Sequence, residues 1–205
     1  MTAERPGTER PIQGAVVLIP AYNPGAPLLE TARRLLQAGV HHIVVVNDGS
    51  GPECEPVFSK LETEDRCTVL RHAVNLGKGR ALKTGFNHIY LNFKRVPGVV
   101  TADADGQHTA HDILKIGDCL TADAQRLTLG ARSFSRTVPF RSLFGNLVTK
   151  YIFYLLVGTK LSDTQSGLRG IPMFLLPHLL KLDGEQYEYE MNMLLITRDL
   201  HVPVR

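Results

Sequence analysis

Two carboxylates one residue apart, Asp103 and Asp105, follow the short candidate strand 99–101 in the segment Asp103-Ala104-Asp105-Gly106-Gln107. Carboxylates spaced this way can meet on one side of a tight turn. Hard divalent cations such as Mg2+ or Mn2+ take oxygen ligands of this kind and keep positions for phosphate oxygens. Gln107 could add a third, neutral oxygen, and Gly106 lets the backbone turn sharply. The plainer alternative is an Asx-rich turn that caps the next helix. A buried strand in front of the pair, with two similar loops elsewhere, favours the cation. His108 and His111 read as residues of a helix start, because magnesium and manganese prefer oxygen.

The two companion loops are Pro20-Ala21-Tyr22-Asn23 and Asn47-Asp48-Gly49-Ser50. Asp48 can accept hydrogen bonds from a nucleotide base or ribose, and Tyr22 offers a flat face for stacking. Half-burial is the plain alternative for Tyr22. Lys78 stands between Gly77 and Gly79, where backbone can approach a ligand and an ammonium can meet phosphate. Spacing alone favours a solvated lysine there. Arg132, Arg136, Arg141 and Arg169 mark the second half, and they flank the apolar stretch 143–157. Guanidinium groups match phosphate oxygens, although scattered arginines are usually solvated. An apolar helix beside basic residues is either core or membrane-seeking.

The elements that must position these residues alternate between strand and helix, which predicts an α/β fold with a mostly parallel sheet flanked by helices. Run 15–19 is continuously apolar, as in a strand buried on both faces. Pro27 opens a helix with leucines at helical spacing, closed by Gly39. Strands at 43–46, 68–70, 99–101 and 127–129, with helices near 56–61, 80–92 and after the N-cap Thr109, complete the regular half. Each proposed ligand loop then leaves the carboxyl end of a strand, where open α/β sheets bind ligands. From 131 onward the pattern loosens.

The composition allows this and excludes several alternatives. At 205 residues, 43% hydrophobic and 21% charged, the chain has room for one domain with a real core. Residues 1–13 read as a disordered lead-in and 14–205 as a single domain, with a regular half, 14–130, and a looser half, 131–205. A net charge of +3 is too weak to argue for nucleic acid. Cys54, Cys67 and Cys119 show neither metal-ligand spacing nor a disulfide framework, which fits a reducing cytoplasm. No apolar run approaches the ~20 residues that cross a bilayer.

Taken together, Ile19-Pro20-Ala21-Tyr22-Asn23, the Asn-Asp-Gly-Ser turn, segment 75–85 and the Asp-Ala-Asp-Gly-Gln loop resemble family 2 glycosyltransferases with the type A, Rossmann-like fold. The segments 138–141 and 144–146, then 163–169, then Tyr187-Glu188-Tyr189-Glu190-Met191-Asn192, are similar to the polyprenyl-phosphate branch, which includes dolichyl-phosphate mannose synthases and bactoprenol glucosyltransferases. The resemblance implies inverting transfer of a hexose from a nucleotide-diphospho-sugar to a polyprenyl phosphate, with 14–130 as the nucleotide-sugar-binding half and 131–205 as the acceptor-side half. It implies Pro20, Tyr22 and Asp48 in the nucleotide pocket, Lys78 near the donor diphosphate, and Asp103, Asp105 and Gln107 on the metal. It also implies that Arg132, Arg141 and Arg169 face phosphates, that Ser166 lies in the segment closing over the sugar, and that Glu188 and Glu190 face the transferred sugar. Peripheral attachment to the inner face of the membrane follows, with a small multi-spanning membrane protein as a possible partner. Asn23-Pro24 replaces the family's Asn-Glu, so one carboxylate contact is missing, and Asn47-Asp48 replaces Asp-Asp. Relatives continue past the position of Arg205, which leaves a truncated, non-catalytic binding remnant as the alternative. A haloacid-dehalogenase-type phosphatase also uses Asp-x-Asp after a strand, but it wants Thr or Val at the place of Gln107.

Overall fold

In the computed structural model the described residues are 14–130 and 167–205. The first strand, β1 (Val16–Ala21), shows why a continuous apolar run is needed. Its odd residues Val17 and Ile19 pack into one hydrophobic layer, and its even residues Val16 and Leu18 into the other. The neighbouring strand β2 (His42–Asp48) divides in the same way, with Ile43 and Val45 on one face and Val44 and Val46 on the other. Helices α1 (Ala26–Gln37), α2 (Glu55–Glu62) and α4 (Ala110–Ala122) supply Leu28, Leu35, Phe58, Ile113 and Leu120 to the first layer. Helix α3 (Lys78–Asn92) covers the other face with Ala81, Leu82, Phe86 and Ile89.

With β3 (Cys67–His72), β4 (Gly98–Thr101), β5 (Thr128–Leu129) and β6 (Arg169–Pro172), the sheet has six strands in the order β3-β2-β1-β4-β6-β5. Strands β3, β2, β1 and β4 are mutually parallel, whereas β6 runs antiparallel to both β4 and β5. The sheet is therefore mixed, with its parallel part where the sequence pattern places it. Strand β6 departs from the pattern, since the alternation loosens from 131 onward and Arg-Gly-Ile-Pro carries little strand propensity. It pairs because β4 presents Gly98 to Pro172 and Thr101 to Arg169 in register. Two helices follow at the C-terminal side, α5 (Leu176–Leu180) and α6 (Glu188–Asp199), and they complete the second layer through Leu176, Leu179, Tyr189 and Met193. Beyond them, the Arg205 N–H donates to the Leu127 carbonyl and its own carbonyl accepts from Leu129.

The chain winds from β1 outward through β2 to β3, then returns to the other side of β1 with β4. The carboxyl ends of β1 and β4 thus flank a topological switch point, where this class of sheet opens a crevice. Thr109 caps α4 as expected, its hydroxyl oxygen accepting from the Asp112 N–H at 3.2 Å.

Candidate active site

At that switch point lies a cleft of about 940 Å³, walled by Pro20, Tyr22, Asp48, Lys78, Asp103 and Asp105 together with the start of α6. The loops that form it are tied to one another by short polar side chains. Asn23 adopts a left-handed backbone, φ 47°, which asparagine tolerates. Its N–H donates to Ser50 Oγ at 2.9 Å, and its side-chain oxygen accepts from the Gly51 N–H at 3.0 Å. Asn47 accepts from the Ser50 N–H and so closes the turn after β2. Gly49 is required there, because its φ is 69° and a Cβ would stand 2.1 Å from the Val74 carbonyl carbon.

Asp48 lines the cleft, and both its oxygens are engaged by the protein. One accepts from His72 Nδ1 at 2.7 Å and the Leu76 N–H at 2.9 Å, and the other from the Gly77 N–H at 2.9 Å. The carboxylate thereby holds the loop before α3 and places Lys78 at the first position of that helix.

Lys78 is not the solvated lysine that spacing alone favoured. Its ammonium bridges Asp103 Oδ1 at 2.7 Å and Glu190 Oε2 at 2.8 Å. Burial opposes its charge, yet the facing Glu190 and Asp103 carboxylates outweigh burial and raise its pKa above the ordinary lysine value. Burial likewise opposes ionisation of Asp103. The His108 hydrogen bond and the Lys78 charge outweigh it and hold the carboxyl well below the usual carboxylate range. His108 is buried, with Nε2 3.3 Å from Asp103 Oδ2, so it supports the first aspartate rather than merely decorating a helix start.

Asp105 is exposed and lines the cleft, and its Oδ1 accepts the Gln107 N–H at 2.9 Å, so the Asx turn and an available carboxylate coexist. Gln107 is exposed and is not part of the cleft wall. No group of three or more His, Cys, Asp or Glu side chains forms a ready-made metal cage among the described residues. The donor set nonetheless fits a hard cation shared with a ligand. Asp48, Asp103, Asp105, Glu188 and Glu190 line the cleft against the single cation Lys78 among its described lining residues. A phosphate ligand entering that field would need added positive charge, and Asp105 is the open oxygen donor beside Asp103.

Two aromatic residues stand at the cleft, Tyr22 at 55% exposure and Tyr187 at 76%, both open enough to stack on a ligand. Of the two glutamates in α6, Glu188 accepts from the Glu185 and Gln186 N–H groups and so ties the turn that leads into the helix. Glu190 is the one that meets Lys78. Arg169 requires a correction. It is fully buried on β6 and donates to the Glu190 carbonyl, so it joins β6 to the first turn of α6 rather than facing phosphate across the cleft. Arg132, Arg136, Arg141, Ser166 and the apolar stretch 143–157 lie outside the described residues. Sequence reasoning gave His72 no role. It sits at a strand end in register with Asp48, and only the pairing of β2 with β3 exposes that relation.

The comparisons with known proteins agree with this geometry. The family model for glycosyl transferase family 2 matches residues 16–170. A UDP-N-acetylglucosamine–dolichyl-phosphate N-acetylglucosaminyltransferase of Methanococcus voltae is 28% identical, over 89% of this chain and 79% of its own. A polyprenol monophosphomannose synthase of Mycolicibacterium smegmatis is 30% identical, over 81% of this chain and 64% of its own. Among solved structures, S. aureus TarS in complex with UDP-GlcNAc superposes with a TM-score of 0.55 at 16% identity, over 87% of this chain and 52% of that one. At this identity the likeness is one of fold, and it is the type A glycosyltransferase fold that the motifs imply. With the cleft at the switch point, the paired aspartates at the end of β4 and a family match across most of the sheet, the chain belongs to glycosyl transferase family 2 and is a glycosyltransferase.

Proposed function

We propose that the chain transfers a hexose from a nucleotide-diphospho-sugar to a polyprenyl phosphate, with inversion at the anomeric carbon and with Mg2+ or Mn2+ as cofactor. The observation that carries the donor half is the acidic cleft at the switch point, in which Asp103, Lys78 and Glu190 form one charged cluster and Asp105 stands open beside it. The acceptor half is supported by the relatives from Methanococcus voltae and Mycolicibacterium smegmatis, whose names specify dolichyl phosphate and polyprenol.

The chemistry is a direct displacement. An oxygen of the acceptor phosphate attacks the anomeric carbon, a new carbon–oxygen bond forms, and the bond to the donor diphosphate breaks. The nucleoside diphosphate leaves with the electron pair. The acceptor phosphate is already anionic at neutral pH, so no residue has to take a proton from it. A divalent cation held by Asp105 and Asp103 would neutralise charge developing on the leaving diphosphate. Pro20, Tyr22 and Asp48 shape the nucleotide pocket, and Lys78 is placed to move from its carboxylates to a diphosphate oxygen. Arg132 and Arg141 are the residues to which we assign the acceptor phosphate, Ser166 the segment over the sugar. A lipid acceptor implies peripheral contact with the inner face of the membrane. Among the described residues no helix is long and apolar enough to cross it.

The test combines donor and metal. Binding of UDP-N-acetylglucosamine and of GDP-mannose is measured by calorimetry with manganese and with chelator, alongside transfer to polyprenyl phosphate in vesicles. Wild type should bind one donor more tightly with metal. Asp105→Ala should lose at least about tenfold of that gain, equivalent to ~1.4 kcal/mol, while keeping its unfolding midpoint. Unchanged metal-dependent affinity in the variant would remove Asp105 from the assignment.

A further inference from the structure

The loop between β3 and α3 has little to order it. Residues 73–76 are all exposed, and the Leu76 and Gly77 N–H groups are held by one side chain, Asp48. Asp48 is in turn held from behind. It and His72 are register partners at the ends of β2 and β3, and His72 Nδ1 lies 2.7 Å from Asp48 Oδ1. The far nitrogen, Nε2, lies 2.9 Å from Thr84 Oγ1 on α3. A carboxylate can only accept, so Nδ1 carries the proton, and in the neutral ring Nε2 accepts the Thr84 hydroxyl. The His72 side chain is 9% exposed and that of Asp48 4%, so water does not compete for these contacts.

We propose that His72 is a positioning residue for the donor loop. With Thr84 behind it, it fixes the carboxylate plane of Asp48, which sets the backbone of Leu76 and Gly77 and hence the place of Lys78. His72 itself touches no ligand. Its effect reaches the reaction through where the Lys78 ammonium and the loop backbone stand, and this step rests on the reading of the cleft as the donor site.

Two replacements separate positioning from packing. Asparagine can put an amide N–H near the place of Nδ1, whereas glutamine puts its amide near Nε2 and is closer to histidine in volume. Amide hydrogen exchange is followed by NMR in the ligand-free chain, and steady-state kinetics with UDP-N-acetylglucosamine and GDP-mannose as donors. In His72→Gln, exchange at Leu76 and Gly77 should quicken about tenfold or more, as befits loss of a charge-assisted hydrogen bond, with Val44 and Val45 unaffected. Donor KM should rise by a similar factor while kcat stays within about threefold. His72→Asn should stay within about threefold of wild type on both readouts. Wild-type exchange in the glutamine variant, or equal losses in both variants, overturns the proposal. A wild-type chain that uses neither donor defeats the reading of the cleft instead, and the exchange rates still decide whether His72 holds the loop.

Discussion

Lys78 concentrates the energetics of the cleft in one side chain. At 18% side-chain exposure it joins the start of α3 to the end of β4 and the first turn of α6 through Asp103 and Glu190. Removing the ammonium leaves two carboxylates close together in a partly buried place, and breaking a buried pair from one side costs more than the pair is worth intact. Lys78→Met should therefore destabilise the fold by about 2–3 kcal/mol, read as a lower urea midpoint. Adding Glu190→Gln should recover part of that loss, because a carboxylate without its partner is replaced by a neutral amide. A double variant no more stable than Lys78→Met would show that Glu190 does not depend on the lysine. The sequence alone could not reach this, since Lys78 and Glu190 lie far apart in the chain and meet only because α6 returns to the cleft mouth. Asp103 and Asp105 were legible because strand and loop stand side by side in the sequence. Arg169 was misjudged for the reverse reason: an arginine in a loop-like segment gives no sign that it will be enclosed.

At the scale of elements, legibility followed the length and hydrophobicity of each segment. β1 and β2 announce themselves because both faces are buried, and every residue of 16–19 and 43–46 must be apolar. Strand β6 has only Ile171 as a β-branched residue among Arg-Gly-Ile-Pro, and it exists through pairing with β4 rather than through propensity. Helix α6 begins inside a stretch rich in Tyr and Glu, and its apolar residues 193–196 are consecutive, so they encircle the helix instead of marking one face. Helix α3 carries a glycine in its middle, which costs propensity, and the sheet supplies the reason. A Cβ on Gly85 would stand 2.2 Å from Leu18 Cδ1, so the missing side chain lets α3 lie directly on β1. Gly85→Ala should thus destabilise by about 1–3 kcal/mol despite its better helix propensity, measured by chemical denaturation. Because α3 also carries Lys78, the same variant should weaken donor binding. A more stable Gly85→Ala would mean that Leu18 can turn aside at little cost.

For the whole molecule, the two ends of the sheet have opposite electrostatic characters. The carboxyl end holds the ionised cluster of the cleft. The opposite end of β2 carries His41 and His42, which meet His88 of α3 around Phe93, with ring centroids 6.1, 4.9 and 6.1 Å away. All three histidines have pKa values pushed below the ordinary 6.5, each by burial first. For His42 the charges of His41, His88 and Arg66 add to that. His42 Nε2 also lies 2.9 Å from Thr68 Oγ1 and joins β2 to β3 there. A histidine with a depressed folded pKa is protonated first in the unfolded chain. Its contribution to stability is present above the unfolded pKa and is lost as pH falls through the folded one. Melting temperature should therefore be flat above about pH 7 and decline between roughly pH 6.5 and 5, before carboxylates begin to titrate. His42→Gln removes the most crowded of the three charges while its amide can still reach Thr68, so its decline over this range should be shallower. Salt screens repulsion among the protonated rings and with Arg66, so raising ionic strength should reduce the decline in wild type more than in the variant. Parallel pH profiles for the two proteins would place the acid sensitivity elsewhere, and the histidine cluster would then be ordinary packing around Phe93.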